Sequence, residues 1–258
     1  MNISAMHDEV NFRDLGGIRT ADGHVIRKGL LYRSGGLYLM NEEEKAYFRS
    51  LNIRCILDLR TAKEAEEKPD PVFDGVQVLQ HSGVVSTGGE QIDFSPTGMH
   101  KIGAEGVDQL HRLEGYYVVM PFHNEAFHVL VKAVQEHNVP LVFHCATGKD
   151  RTGVAAMVVE ALLGVDEGTI LEDYLLSNVY FQRRLASCME AQADRIAAHP
   201  EAGELLLMQK GVRPEIGEAV ISEMKKRCGS LDGYIHQEYG LSDHDVSQIR
   251  EFYLEEGL

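Results

Sequence analysis

The sequence predicts an α/β fold, with a mostly parallel central sheet flanked by helices and an extended helical portion at its C-terminal end. Three observations carry that prediction. Compact apolar runs suited to buried strands, Ile53 to Leu57 and Val139 to Phe143, are separated by helical patterns, the order that builds a parallel sheet. The second run leads through a glycine-containing loop into the apolar stretch Val154 to Val159, which reads as strand, tight loop and buried helix. From Val179 onward the pattern is helical, divided by Pro200, Gly211, Pro214, Gly229 and Gly240 into helices of modest length.

Each element follows from local signals. Asn11 to Gly17 is polar, ends in glycine and shows no periodicity, so it reads as a turn in which Asn11 and Asp14 bond backbone groups. His24 to Arg33 supplies one or two short strands. Asn41, followed by Glu42, Glu43 and Glu44, is an N-cap with an acidic first turn for a helix reaching Leu51. The strand Ile53 to Leu57 ends at Asp58-Leu59-Arg60. Open α/β sheets gather ligands at the carboxyl ends of strands, so Asp58 and Arg60 are either residues of a cleft or an ion pair at a strand end. Thr61-Ala62-Lys63-Glu64 is a capping box opening another helix, and Val76 to Gln80 reads as a third strand.

Gly83 to Gly106 is rich in Gly, Ser and Thr and exceeds an ordinary connection, so it reads as part of a mobile cover segment spanning 83–120. Val107 to Met120 and Phe122 to His137 read as two helices parted by Pro121, the second amphipathic through Phe122, Phe127, Leu130 and Val134. Thr152 to Leu163 is apolar nearly all round, as a helix buried against a sheet must be. Gly164 stops it and Asp166 opens the next helix, through Ser177. Ser242 and Asp245 open the last helix. No repeat, low-complexity tract or linker divides the chain, so residues 1–258 read as one domain with 179–258 as its helical part.

Composition narrows the function. A chain of 258 residues with 44% apolar and 25% charged residues is an ordinary globular one. The formal charge, 25 minus 40 or −15, excludes nucleic acid as an expected partner. It does not exclude an anionic substrate, because the Debye length of about 8 Å lets cations lining a pocket outweigh distant carboxylates. No apolar stretch reaches the ~20 residues of a membrane span, and Met1 to Val10 lacks the pattern of a secretory leader, so a cytoplasmic protein is expected. Cys55, Cys145, Cys188 and Cys228 lack metal-ligand spacing, and His123 with His128 has the wrong spacing for two ligands on one helical face. No metal or cofactor is expected.

The chemistry concentrates in His144-Cys145-Ala146-Thr147-Gly148-Lys149-Asp150-Arg151-Thr152-Gly153. A loop between a strand and a helix N-terminus turns its backbone N–H groups on one point, which suits an anion. Ala146, Thr147, Gly148, Lys149, Asp150, Arg151 and Thr152 are the expected anion-binding residues. Cys145 and Arg151 are separated by five residues, so a thiol sits at the floor while a guanidinium fork curls over the same cavity. Helix N-termini and cations lower a thiol pKa from ~8.5 to ~3.5–7.5, which makes Cys145 an expected nucleophile. Thr152 is expected to hydrogen-bond its sulfur. An ATP-binding loop requires glycine where Phe143 stands and Ser or Thr where Asp150 stands, and a thioredoxin-like pair requires cysteine where Gly148 stands.

The C-x5-R-T loop is the signature of cysteine-dependent phosphatases, and its form here resembles the atypical tyrosine phosphatase family of bacteria and fungi. Asn11 to Gly17, Gly29 to Ser34 with Asp58 to Arg60, and Asp173 to Asn178 match as well. The resemblance implies a cysteine-phosphatase-like fold, phosphotyrosine as substrate, and Arg13, Asp14, Arg33 and Arg60 at the border of the site. The expected reaction is metal-independent hydrolysis of a phosphate monoester through phosphocysteine, on a phosphorylated protein. Lys149, a second cation in the loop, keeps a phosphoinositide or phosphoserine substrate as the alternative. A phosphate-binding pseudophosphatase is disfavoured by intact Cys145, Arg151 and Thr152, and arsenate reduction by the lack of a second adjacent cysteine. The general acid is either Asp58, whose burial would raise its pKa, or Asp150, whose neighbour Arg151 would lower it; Asp58 is favoured.

Overall fold

A computed structural model describes residues 6–84, 86–87, 90–91 and 108–257. At its centre is a five-stranded sheet in the order Arg13–Asp14, Leu31–Ser34, Leu141–His144, Cys55–Asp58, Gln77–Gln80. The first pair is antiparallel and the others are parallel, as the alternation of strand and helix signals predicts. Side chains alternate between the faces. Leu31, Cys55, Leu57, Leu141 and Phe143 join one core cluster, while Tyr32, Ile56 and Val142 join another with Phe12, Phe48 and Phe73. Burial on both faces is why these strands read as unbroken apolar runs.

Ser34, His144 and Asp58 stand level across the three central strands, so the chain leaves the middle strand at the carboxyl edge and enters the loop 145–150 there. The helix Arg151–Leu162 that follows is buried along its whole length. Its neighbour Glu167–Tyr180 is capped by Asp166, which accepts from Thr169 N at 3.1 Å. The capping box at Thr61 forms as read, the expected N-cap Asn41 forms a full box with Glu44, and a third box forms between Ser242 and Asp245.

Two expectations are corrected. Arg13–Asp14, read as part of a turn, is a short edge strand of the central sheet. The chain is not helical to its end: Leu254–Glu255 pairs antiparallel with Val25–Ile26. After Glu167–Tyr180 come the helices Gln182–Ala191, Ala193–Ala198, Glu201–Lys210, Pro214–Cys228 and Leu231–Tyr239, with breaks at the prolines and glycines expected and two more, at Phe181 and Gln192, that the sequence did not signal. Half of the cover segment lies outside the described residues; within 83–120 the chain forms the short strands Ser86–Thr87 and Glu90–Gln91 and the helix Asp108–Val119. No helix among the described residues is long and apolar enough to cross a membrane.

Candidate active site

The loop after His144 has its carbonyls tied down from behind. Leu59 N donates to His144 O at 2.8 Å and Gly36 N to Ala146 O at 3.2 Å. Asn11 Nδ2 donates to Thr147 O at 3.3 Å and to Gly148 O at 3.0 Å, and Arg33 Nη2 adds a second bond to Gly148 O at 3.0 Å. The amide N–H groups of residues 146–150, by contrast, donate to no partner among the described residues. Carbonyls held back and amides left free make an anion cradle at the N-terminus of a buried helix. Gly148 permits the turn with φ of +69°, and a Cβ there would meet Ser34 backbone atoms at 2.5 Å.

Cys145 lies at the floor, 1% exposed, and Arg151 is equally buried. The guanidinium is gripped by Glu64: Nη1 donates to Oε2 at 2.7 Å and Nη2 to Oε1 at 2.8 Å, while Nη1 also reaches Leu59 O at 3.3 Å. Arg151 Nε is buried without a partner among the described residues. The fork therefore has one edge fixed and Nε available for a tetrahedral oxyanion beside Cys145. Burial disfavours the charge of Arg151, but Glu64 and Cys145 outweigh it and raise its pKa. The Glu64 carboxyl goes the other way, lowered because Arg151 overrides the cost of burial. Glu64 was legible as the closing residue of a capping box, and its grip on Arg151, 87 positions away, left no local signal. The expected bond from Thr152 to Cys145 is not made, since Thr152 Oγ1 is buried without a partner among the described residues.

Lys149 has its ammonium bonded within the protein. Its Nζ, 2% exposed as a residue, donates to Met208 O at 2.7 Å, to Gly211 O at 3.0 Å and to Asp150 Oδ1 at 3.2 Å. Those carbonyls belong to the C-terminal end of Glu201–Lys210, where a cation complements the helix dipole. Asp150 sits at the N-cap of Arg151–Leu162, yet its side chain makes no cap bond. Its Oδ1 instead accepts from the hydroxyl of Tyr117, a residue not anticipated from sequence.

Asp58, the acid favoured from the sequence, stands in a buried ion pair. Both its oxygens are held by Arg60, with Nε at 2.9 and 3.0 Å and Nη2 at 2.7 Å, and Arg60 N adds 2.9 Å to Oδ1. Burial does push its carboxyl up, but His144 and Arg60 outweigh this and lower the pKa, so the proton is held poorly. Arg60 is itself spent on Asp58, Asp70 and Lys68 O. Asp58, Asp70 and His144 bring three potential ligand atoms within 4.8 Å of one another. Arg60, donating to both carboxylates, already supplies positive charge there, so the cluster fits an ion-pair network better than a cation site.

Arg13 and Arg33, expected at the border, lie behind the loop. Arg13 donates to Asn11 Oδ1 at 2.7 Å and to Asp173 Oδ1 at 2.9 Å, and Arg33 Nη1 donates to Asp173 Oδ2 at 2.5 Å. Asp173 therefore joins the two arginines that brace Asn11 and Gly148. Asp14 ends the edge strand, and its side chain accepts from Gly16 N and Gly29 N at 2.8 Å, the backbone bonding expected of it.

A buried thiol and a clamped guanidinium on a cradle of free amides define a cysteine-dependent phosphatase loop. The chain belongs to the tyrosine phosphatase family, whose model matches residues 5–255. It is 30% identical over 246 residues to a Cupriavidus necator protein provisionally named a tyrosine-protein phosphatase, covering 95% of this chain and 85% of that one. It is 29% identical over 268 residues to the triple specificity protein phosphatase PtpB of Mycobacterium tuberculosis, covering 93% and 95%. It is a hydrolase of the cysteine-dependent phosphatase type.

Proposed function

We propose that the chain hydrolyses phosphotyrosine in proteins through a phosphocysteine intermediate, with residues 1–258 acting as one phosphatase domain. The observation that carries this reading is the cradle of free amides over Cys145 with the Glu64-held Arg151 at its wall. Sγ of Cys145 attacks phosphorus in line, and the P–O bond to the leaving oxygen breaks. Residues 146–151 and Arg151 Nε hold the equatorial oxygens, whose charge they meet without reorganising. Asp150 delivers the proton to the leaving oxygen and then takes one from the attacking water, which releases phosphate from sulfur. The Asp150 carboxylate forgoes the helix cap, whereas the Asp58 carboxylate is locked by Arg60.

The phosphoinositide alternative rested on Lys149, and the commitment of its ammonium to Met208 O, Gly211 O and Asp150 removes that support. The broader specificity in the name of PtpB is reason to test it directly. The test is kcat/KM on a phosphotyrosyl peptide, its phosphoseryl counterpart and phosphoinositide vesicles. The phosphotyrosyl peptide is expected to be the best substrate of the three; a higher value on either of the others overturns the assignment.

A further inference from the structure

We infer that Tyr117 is a positioning residue that fixes which oxygen of Asp150 carries the transferable proton. The inference rests on the reading of Asp150 as general acid. Tyr117 is 2% exposed, and from the helix Asp108–Val119 its hydroxyl reaches Asp150 Oδ1. Lys149 Nζ lies 3.2 Å from the same oxygen. An ammonium can only donate, so one lone pair of Oδ1 is taken by Lys149. Burial pushes the phenol pKa of Tyr117 well above its ordinary value, with the Asp150 charge acting the same way, so the hydroxyl keeps its proton and donates. Oδ1 thus receives two donors, while Oδ2 receives none from any described residue. The acid proton consequently resides on Oδ2.

This arrangement suits both halves of the reaction. When Oδ2 passes its proton to the leaving oxygen as the P–O bond breaks, the new carboxylate already has two donors on Oδ1. In the second half Oδ2 accepts a proton from water as oxygen bonds to phosphorus and the S–P bond breaks. An aspartate at an N-cap ordinarily bonds the helix amides. Here Tyr117 and Lys149 turn it away, which leaves those amides to the anion and the carboxyl to the leaving group.

The test compares Tyr117→Phe with the parent protein on a phosphotyrosyl peptide and on an activated dinitrophenyl phosphate, whose leaving group departs unprotonated. Tyr117→Phe is expected to lose about tenfold in kcat on the peptide, the kinetic worth of one buried hydrogen bond, and far less on the activated ester. Combining it with Asp150→Asn is expected to cost nothing further on the peptide, because a positioning effect vanishes with the group positioned. Equal losses on the two substrates, or a full additional loss in the double variant, make Tyr117 a packing residue and overturn the inference. Asp150→Asn alone separates the two readings. A loss confined to the peptide in that variant, with none in Tyr117→Phe, refutes the positioning role alone, whereas an equal loss on both substrates refutes the acid assignment and the inference with it.

Discussion

At the scale of single residues, the decisive contact is Glu64 on Arg151. A guanidinium binds an oxyanion best when its plane is fixed, and two parallel bonds of 2.7 and 2.8 Å from Arg151 fix it. Glu64 serves twice, since Oε2 also accepts from Thr61 N at 2.9 Å to close a capping box. Glutamine preserves a capping box but not the paired acceptor oxygens. Glu64→Gln is therefore expected to lower kcat/KM by about a hundredfold, the cost of a misplaced catalytic group, while the thermal midpoint changes little. Unchanged kcat/KM would mean that the clamp does not orient Arg151. The thiol and arginine were legible because their spacing in the loop is itself the chemistry. Lys149 was judged by its place in the loop, whereas its ammonium is claimed by carbonyls 59 and 62 positions downstream. Asp58 was recognised as a possible ion-pair member, and Arg60 two residues on makes it one.

At the scale of elements, what could be read was local. The N-cap at Asn41, the box at Thr61 and the breaks at Gly164, Pro200 and Gly211 are written in a few adjacent residues, and the corresponding helices begin or end there. The two-residue strands were not legible, because periodicity needs more than two positions. Arg13–Asp14 becomes a strand only by pairing with Leu31–Ser34, and Leu254–Glu255 only by pairing with Val25–Ile26, at the other end of the chain. Tyr117 belongs to a helix that was expected, yet its partner Asp150 is 33 positions away. The roles of Asn11 and Asp173 were also out of reach. Both lie in stretches that carried the family resemblance, and the reason is now physical: they brace the back of the phosphate loop.

At the scale of the whole molecule, a buried ionic network joins the edge strand, the strand Leu31–Ser34 and the helices Arg151–Leu162 and Glu167–Tyr180. Arg13, Arg33, Asp173 and Glu160 are all within it and almost wholly shielded from solvent. Burial would raise the Asp173 carboxyl, but Arg13 and Arg33 override that and hold it well below the usual range. Burial raises the Glu160 carboxyl well above that range, and the Asp173 charge and a side-chain hydrogen bond to Asp173 push the same way. A carboxyl with a raised folded pKa contributes stability that is full below its unfolded pKa of about 4.3 and is lost as pH rises. Glu160→Gln removes that loss. Denaturant unfolding at several pH values is expected to show the variant gaining on the parent by about 1.4 kcal/mol per pH unit above pH ~5; a pH-independent difference would show Glu160 to be ionised in the fold. The network, the clamp and the cradle all converge on Cys145, so the most direct measurement asks whether the phosphoryl group passes through its sulfur. Acid quenching during turnover of a labelled phosphotyrosyl peptide, followed by peptide mapping, is expected to find phosphate on Cys145 and to find none in Cys145→Ser, which also ceases to turn over. Steady turnover by Cys145→Ser, or label on a different residue, would contradict the account.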